Sequence, residues 1–420
     1  MTGLFIGLAA KNLTRHRRRT IITAVAMAVG IALYISMNSL LTGFTSETDR
    51  NLQEFELGSA AYFAQGYWEE REQFPLDILI EDPQPLLERL SDADIPAAPH
   101  TAFRGELIVH YDPFPEDGSI TMAFTAVDPQ LDPDVFRLEE SITDGRFLQG
   151  GEEIIIGRWL ADRLGAEVGY PVSVTTRTRD GFRQLMDLEI VGIYQTSNPQ
   201  TDRHTAYVPM HIADEFLEMR GAVTSIYTLL PEQIPGTADL QPLRDILASS
   251  GQSDSVELLG FNDMTTEFAE VEQMQDQYTG IMMMLLGIIA IVGISNTMLM
   301  SVLERQKEIG MLRSMGMRNR EIRSIFMFEA GGIGIIGAAG GLLLGSGLVW
   351  LLTNHGIDYG AILEDVDLSA FRFEGVLYGV WDFGSMVTVA LFAIVVAAVV
   401  AMLPTRRILK KSITECLRQS

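Results

Sequence analysis

Cysteine is nearly absent: the 420 residues hold a single one, Cys416. One thiol cannot close a disulfide within the chain, so a folded domain here must rest on its own core. The lack of a second cysteine or neighbouring histidine argues against a redox or metal role for Cys416. His100, His110, His204, His211 and His355 are scattered and lack metal-ligand spacing. Bases are scarce, 31 Lys and Arg against 55 Asp and Glu, for a net charge of −24 that argues against a nucleic-acid partner. Glycine is plentiful, yet no G-x-x-x-x-G-K-[ST] occurs, so the chain lacks the loop that cradles nucleotide phosphates. The acids form no recognisable catalytic set, and pairs such as Glu152–Glu153 read as solvated surface. An enzyme in its own right is therefore disfavoured, and no cofactor bound by this chain is expected.

The most informative absence is local. No charged residue occurs in 20–46, 277–303 or 383–405, and 324–357 contains only Glu329. Each run is long enough for a helix to cross ~30 Å of hydrocarbon, which takes about 20 residues. Four transmembrane helices follow. The first run comes after the basic stretch "KNLTRHRRRT", which also fits a signal peptide. Its length, and the lack of a small-x-small cleavage site near its end, favour a retained span.

The bases set the orientation. Segments 1–19, 304–323 and 406–420 together hold 16 Lys and Arg against 4 Asp and Glu, whereas the rest of the chain holds 15 against 51. By the positive-inside rule both termini and 304–323 face the cytoplasm, and the long 47–276 segment faces outward. The expected fold class is an α-helical membrane protein with four transmembrane helices plus an α/β periplasmic domain. The layout is a cytoplasmic amphipathic helix at 1–19, meeting anionic membrane lipids; a first span at 20–46 with a stalk to about 57; a periplasmic domain at 58–261; a returning stalk and second span at 262–303; a charged cytoplasmic helix at 304–323; a third span at 324–353; a short loop at 354–382; a fourth span at 383–404; and a tail at 405–420. Within the outer domain, "ELIVHY" and "TMAFTAVD" read as strands, and 141–200 reads as a β-rich insert between α/β core pieces at 58–140 and 201–261.

Two features mark the third span. Gly337, Gly341 and Gly345 are four apart and share one helical face. Such a face lets helix backbones approach closely in lipid, either within one chain or between two copies. Glu329 lies inside the span, about one turn from its cytoplasmic end. It is a candidate for proton coupling or for a structural role, reaching water or Arg323.

Between the second and third spans runs "ERQKEIGMLRSMGMRNREI", residues 304–322. It reads as a short helix with Ile309, Leu312 and Met315 along one side, ended by Gly316. Asn319 is placed to cap the next helix. A charged amphipathic helix across the mouth of two spans suits docking to a cytoplasmic partner or resting on lipid.

This segment closely resembles the one after the second span in FtsX-like ABC transporter permeases, the group that includes the MacB-type permeases. "KNLTRHRRRTIITAVAMAVGIAL" and "LPTRRILKKSITECLR" are similar to that family's N-terminal and C-terminal signatures, with Ser412 standing where proline is common. "DGRFL" and "EEIIIGRWLADRLGAEVG" resemble its periplasmic domain. The resemblance implies a dimer, homomeric or heteromeric, working with two copies of a separate ATP-binding subunit that carries ATP and Mg. It implies a coupling helix at 304–316, using Glu304, Arg305, Glu308, Ile309, Gly310, Leu312, Arg313 and Gly316. It further implies a porter-like outer domain moved through the stalks, on a lipoprotein, lipid or small molecule, with a periplasmic adaptor or lipoprotein carrier as a further partner. The competing function is a membrane-anchored sensor or scaffold with no ATPase, which accounts for the outer domain but not for 304–316.

Overall fold

The computed structural model describes residues 17–232, 234–266, 269–358 and 376–409. The amphipathic segment before Arg17, most of the 354–382 loop and the tail with Cys416 lie outside the described residues. The chain divides into two compact units. One contains the described residues up to Thr45, Glu270–Asp358 and those from Val376 onward; the other contains Ser46–Ala269.

The first unit is helical. Four helices are long and apolar enough to cross a membrane, with spans at Thr20–Leu57, Gln277–Glu304, Asn319–His355 and Phe383–Arg406. Lipid is as apolar as a leucine side chain, so these helices gain little by hiding apolar surface from one another. Close approach holds them instead. A Cβ on Gly337 would lie 3.0 Å from Met27 Cβ, one on Gly341 2.6 Å from Ile31 Cβ, and one on Gly345 3.0 Å from Ile35 Cδ1. The glycine face therefore packs against the first span of the same chain. Gly334, about one turn earlier in the same helix, meets Ala397 and Ile394 of the fourth span. Thr23 and Thr297 share a buried 2.7 Å hydroxyl hydrogen bond between the first and second spans, and Asn38 donates to Asp382 at 3.1 Å. Ile22, Val29, Leu33, Leu343 and Val395 stay exposed, as lipid-facing residues do.

The second unit is an α/β domain built on one ten-stranded sheet. Its strands are β1 (Ala60–Ala64), β2 (Ala97–Val109), β3 (Gly118–Val127), β4 (Ile142–Gly145), β5 (Glu153–Gly157), β6 (Pro171–Arg177), β7 (Arg183–Tyr194), β8 (Thr205–Pro209), β9 (Ser225–Thr228) and β10 (Val256–Gly260). Their order is β10-β1-β9-β2-β3-β8-β5-β7-β4, with β6 pairing both β2 and β7. The strands of 141–200 thus hydrogen-bond directly to those on either side, β5 to β8 and β6 to β2.

Strand β2 makes this continuity possible by changing partners along its length. Ala97–His100 pair with β9, and Gly105–Ile108 pair with β6. At Gly105 the Phe124 ring and the Thr175 carbonyl both close in, to 2.9 and 3.2 Å of where a Cβ would sit, so only glycine fits. Burial alternates along β6, as a strand with one solvated face requires. One core gathers Phe103, Phe124, Ile154, Leu160, Val174 and Ile190; a second gathers Tyr62, Phe63, Leu86, Leu90 and Leu243. Two buried ionisable groups have matched partners. His100 Nε2 lies 2.7 Å from Asp132 Oδ1. Glu153 accepts from Arg146 and from the Gln149 backbone N–H at 2.8 Å, and the Arg146 hydrogen bond, outweighing partial burial, holds its carboxyl below the usual range.

Candidate functional site

The second span's helix ends at Glu304, and a separate helix, Gln306–Ser314, follows at once. Arg305 sits at the break. Its Nε donates to Glu308 Oε2 at 2.8 Å and its Nη1 to Glu329 Oε2 at 3.2 Å. Ser301 Oγ donates to Glu329 Oε1 at 3.2 Å. One guanidinium thus ties the short helix to the third span, while Ser301 ties that span to the second. Glu329 is buried, so its partner is Arg305 from across the turn and not Arg323, whose Nε donates to the Asn319 carbonyl. A buried carboxylate needs such a partner, because in a low-dielectric site an unpaired charge is costly.

The short helix ends in a Schellman closure. Gly316 adopts φ +92°, where glycine carries no Cβ penalty. Its N–H donates to the Arg313 carbonyl, and the Met317 N–H to the Leu312 carbonyl, both at 3.1 Å. The third helix then begins at Asn319. Asn319 is therefore the first helical residue and not the cap; the Glu321 carboxylate accepts from the Arg318 N–H at 2.7 Å in that role.

The expected site residues divide by burial. Ile309 and Gly310 are buried, with Ile309 in the cluster formed by Val302, Ile322 and Phe326. Arg305, Glu308, Leu312 and Arg313 are half-buried, and Glu304 and Gly316 are exposed. The apolar side expected from Ile309, Leu312 and Met315 is not one face, since Met315 is 74% exposed. Three residues span about 300°, so two such steps drift by roughly 120° around the axis. The exposed stripe is instead Lys307, Met311, Ser314, Met315 and Arg318, with Met311 51% exposed. Two adaptable thioethers framed by cations make a face suited to a protein groove. The i, i+4 spacing of Met311 and Met315 was the available signal for it. Arg305 as the anchor of Glu329 had only a weak signal, the need of an intramembrane acid for a nearby base.

The FtsX-like permease C-terminal family matches residues 280–413, and the MacB-like periplasmic core domain matches residues 20–243. The chain belongs to the FtsX-like, MacB-type family of ABC transporter permeases. The permease is 25% identical to the lipoprotein-releasing system transmembrane protein LolC of Neisseria meningitidis serogroup B, over 69% of this chain and 71% of that protein. It is 25% identical to LolC of Xylella fastidiosa over 99% of this chain and 98% of the relative. It is 28% identical to the macrolide export ATP-binding/permease protein MacB of Chlorobium luteolum, over 54% of this chain and 37% of that longer protein. The periplasmic region of MacB from Actinobacillus actinomycetemcomitans aligns with a TM-score of 0.37 at 14% identity, covering 53% of this chain and 98% of that structure. The permease thus combines four membrane-spanning helices with an α/β periplasmic domain.

Proposed function

We propose that the helix Gln306–Ser314 is the coupling helix of this permease, docking into a groove on a separate ATP-binding subunit. The observation that carries the reading is the pinned geometry of that helix. Arg305 fastens its start to Glu329, the Schellman closure fixes its end, and Lys307, Met311 and Met315 face outward. A helix fastened at both ends transmits a push to the two spans that it joins, whereas a loose loop would absorb it. Glu304, Glu308 and Arg313 would add charged contacts at the rim, and Ile309, Gly310, Leu312 and Gly316 would shape and seat the helix.

In this reading two permease copies, identical or paired with a paralogue, work with two ATP-binding subunits in a bacterial inner membrane, with both termini cytoplasmic. ATP and Mg belong to the partner, and this chain binds no cofactor. Closure of the ATPase moves the second and third spans, with the first packed against the third, and through the first and second the periplasmic domain. The relatives named for lipoprotein release and macrolide export support work on a lipoprotein, lipid or small molecule, with a carrier or adaptor on the periplasmic side. Glu329 serves as the structural anchor of the coupling helix.

The test is co-purification of the permease with the ATP-binding protein encoded beside it, in nanodiscs. Met311→Asp with Met315→Asp changes two exposed side chains, so the fold should survive while ATPase association falls by at least about tenfold, a loss of roughly 1.4 kcal/mol. Undiminished association would defeat the docking role of this face, and no association of the unaltered permease would favour a sensor without an ATPase.

A further inference from the structure

Several hydroxyls in the spanning helices turn back on their own backbone. Ser36 Oγ donates to the Ala32 carbonyl at 2.8 Å, Thr388 Oγ1 to that of Gly384 at 2.8 Å and Thr405 Oγ1 to that of Ala401 at 2.7 Å, each one turn earlier. Ser39, three residues after Ser36 in the first span, does not. It is 2% exposed and, among the described residues, its Oγ has no hydrogen-bond partner. It lines a cavity of about 10 Å³ at the end of the helical unit opposite the Arg305 junction, together with Asn38, Asp382 and Ser385. The other walls are apolar, with Ile35, Val349 and Met386 among them. The surroundings fix Ser39 in place. The Val380 N–H donates to its carbonyl at 3.1 Å, and Gly379 lies so close that a Cβ there would stand 2.6 Å from Ser39 Oγ. Asp382 caps the fourth span's helix, Phe383–Val400, by accepting from the Ser385 N–H at 3.0 Å. The same carboxylate takes the Asn38 amide of the first span at 3.1 Å.

We propose that this cavity binds one ordered water molecule, which bridges the Ser39 hydroxyl to the Asn38, Asp382 and Ser385 group and so joins the first span to the cap of the fourth. Size limits the occupant. One water needs roughly 10–15 Å³, so nothing larger than a water or a bare ion fits. Chemistry decides between these two. A buried water needs about two to four polar partners, and the four polar side chains supply them. A cation would stand at the positive end of the fourth span's helix. It would also face a carboxylate that already accepts from Asn38 and from both the hydroxyl and the N–H of Ser385. A hydroxyl left unbonded among Ile35, Val349 and Met386 would be costly, and a water removes that cost. The site does not depend on ATPase docking, and its test contains no ATPase, so the two claims stand or fall separately.

The experiment is a crystal structure of the full chain, grown from a lipid phase and refined at a resolution that shows ordered water. A density peak is expected within about 2.5–3.2 Å of Ser39 Oγ and of a polar atom of Asn38, Asp382 or Ser385. The peak should vanish in crystals of Ser39→Ala, and that variant in nanodiscs should melt below the wild type. Three results would overturn the proposal. In the first, no peak is found and Ser39 Oγ donates to the Ile35 carbonyl, as its neighbours do to theirs. In the second, the peak gains an anomalous signal when sodium is exchanged for rubidium, which makes the occupant a metal ion. In the third, Ser39→Ala melts at or above the wild-type temperature, which shows that the hydroxyl had no partner to lose.

Discussion

The two units of this permease are held together in opposite ways. In the membrane unit close packing of two spans uses the smallest residue: Gly337, Gly341 and Gly345 bring the third span against Met27, Ile31 and Ile35. In the α/β domain the deepest positions hold large side chains, Tyr62, Phe103, Phe124 and Leu90 among them. The solvent explains the contrast. Water drives large apolar groups inward at about 25 cal/mol per Å². Lipid offers no such drive, so shape, hydrogen bonds and rare buried charges decide. A leucine in one unit and a glycine in the other therefore do the same job.

This comparison can be broken at specific places. The largest effect is expected at the charged junction, where Arg305→Ala removes one guanidinium contact from the buried Glu329 carboxylate and should cost up to about 3–5 kcal/mol. Its check is the thermal midpoint in nanodiscs, with Glu329→Gln in the same chain recovering much of the loss. Next comes the water-driven core, where Leu90→Ala should cost about 2–5 kcal/mol by chemical denaturation, while Leu343→Ala, at a site 77% exposed on the third span, should change little. A smaller loss of about 1–3 kcal/mol is expected for Gly341→Ala, which forces Ile31 aside. Equal sensitivity at Leu343 and Leu90 would remove the distinction between the two units.

The smallest expected effect sharpens the comparison through pH. Arg146 holds the Glu153 carboxyl below its ordinary value. The stability from this contact is therefore complete above the unfolded glutamate value of about 4.3 and is lost as pH falls through the depressed folded value. Arg146 is well exposed, so Glu153→Gln should cost only about 1 kcal/mol at neutral pH. The gap to the wild type should close in acid, as followed by denaturation midpoints across pH.

Much of this architecture was legible in the chain, for physical reasons. Uncharged runs of spanning length follow from the cost of charge in hydrocarbon, so the four helices stand out. The shared face of Gly337, Gly341 and Gly345 follows from helical spacing, but spacing cannot say which helix covers that face; only the structure shows the first span there. The pairing of β6 with β2 was hidden for a similar reason, because register across some 70 residues leaves no local trace. Likewise Arg323 is nearer to Glu329 in sequence, yet the break at Arg305 folds the preceding turn back and brings the other guanidinium to it.

The account turns on the outward face of Gln306–Ser314. The most direct measurement is site-specific cross-linking, with Cys416 replaced by serine and one cysteine introduced in turn at Met311, Met315 or Leu343. The account predicts that benzophenone-4-maleimide, attached at these thiols and photoactivated, joins the permease to its ATP-binding subunit from positions 311 and 315 and not from 343. An ATPase that co-purifies yet cross-links from neither 311 nor 315 would contradict it.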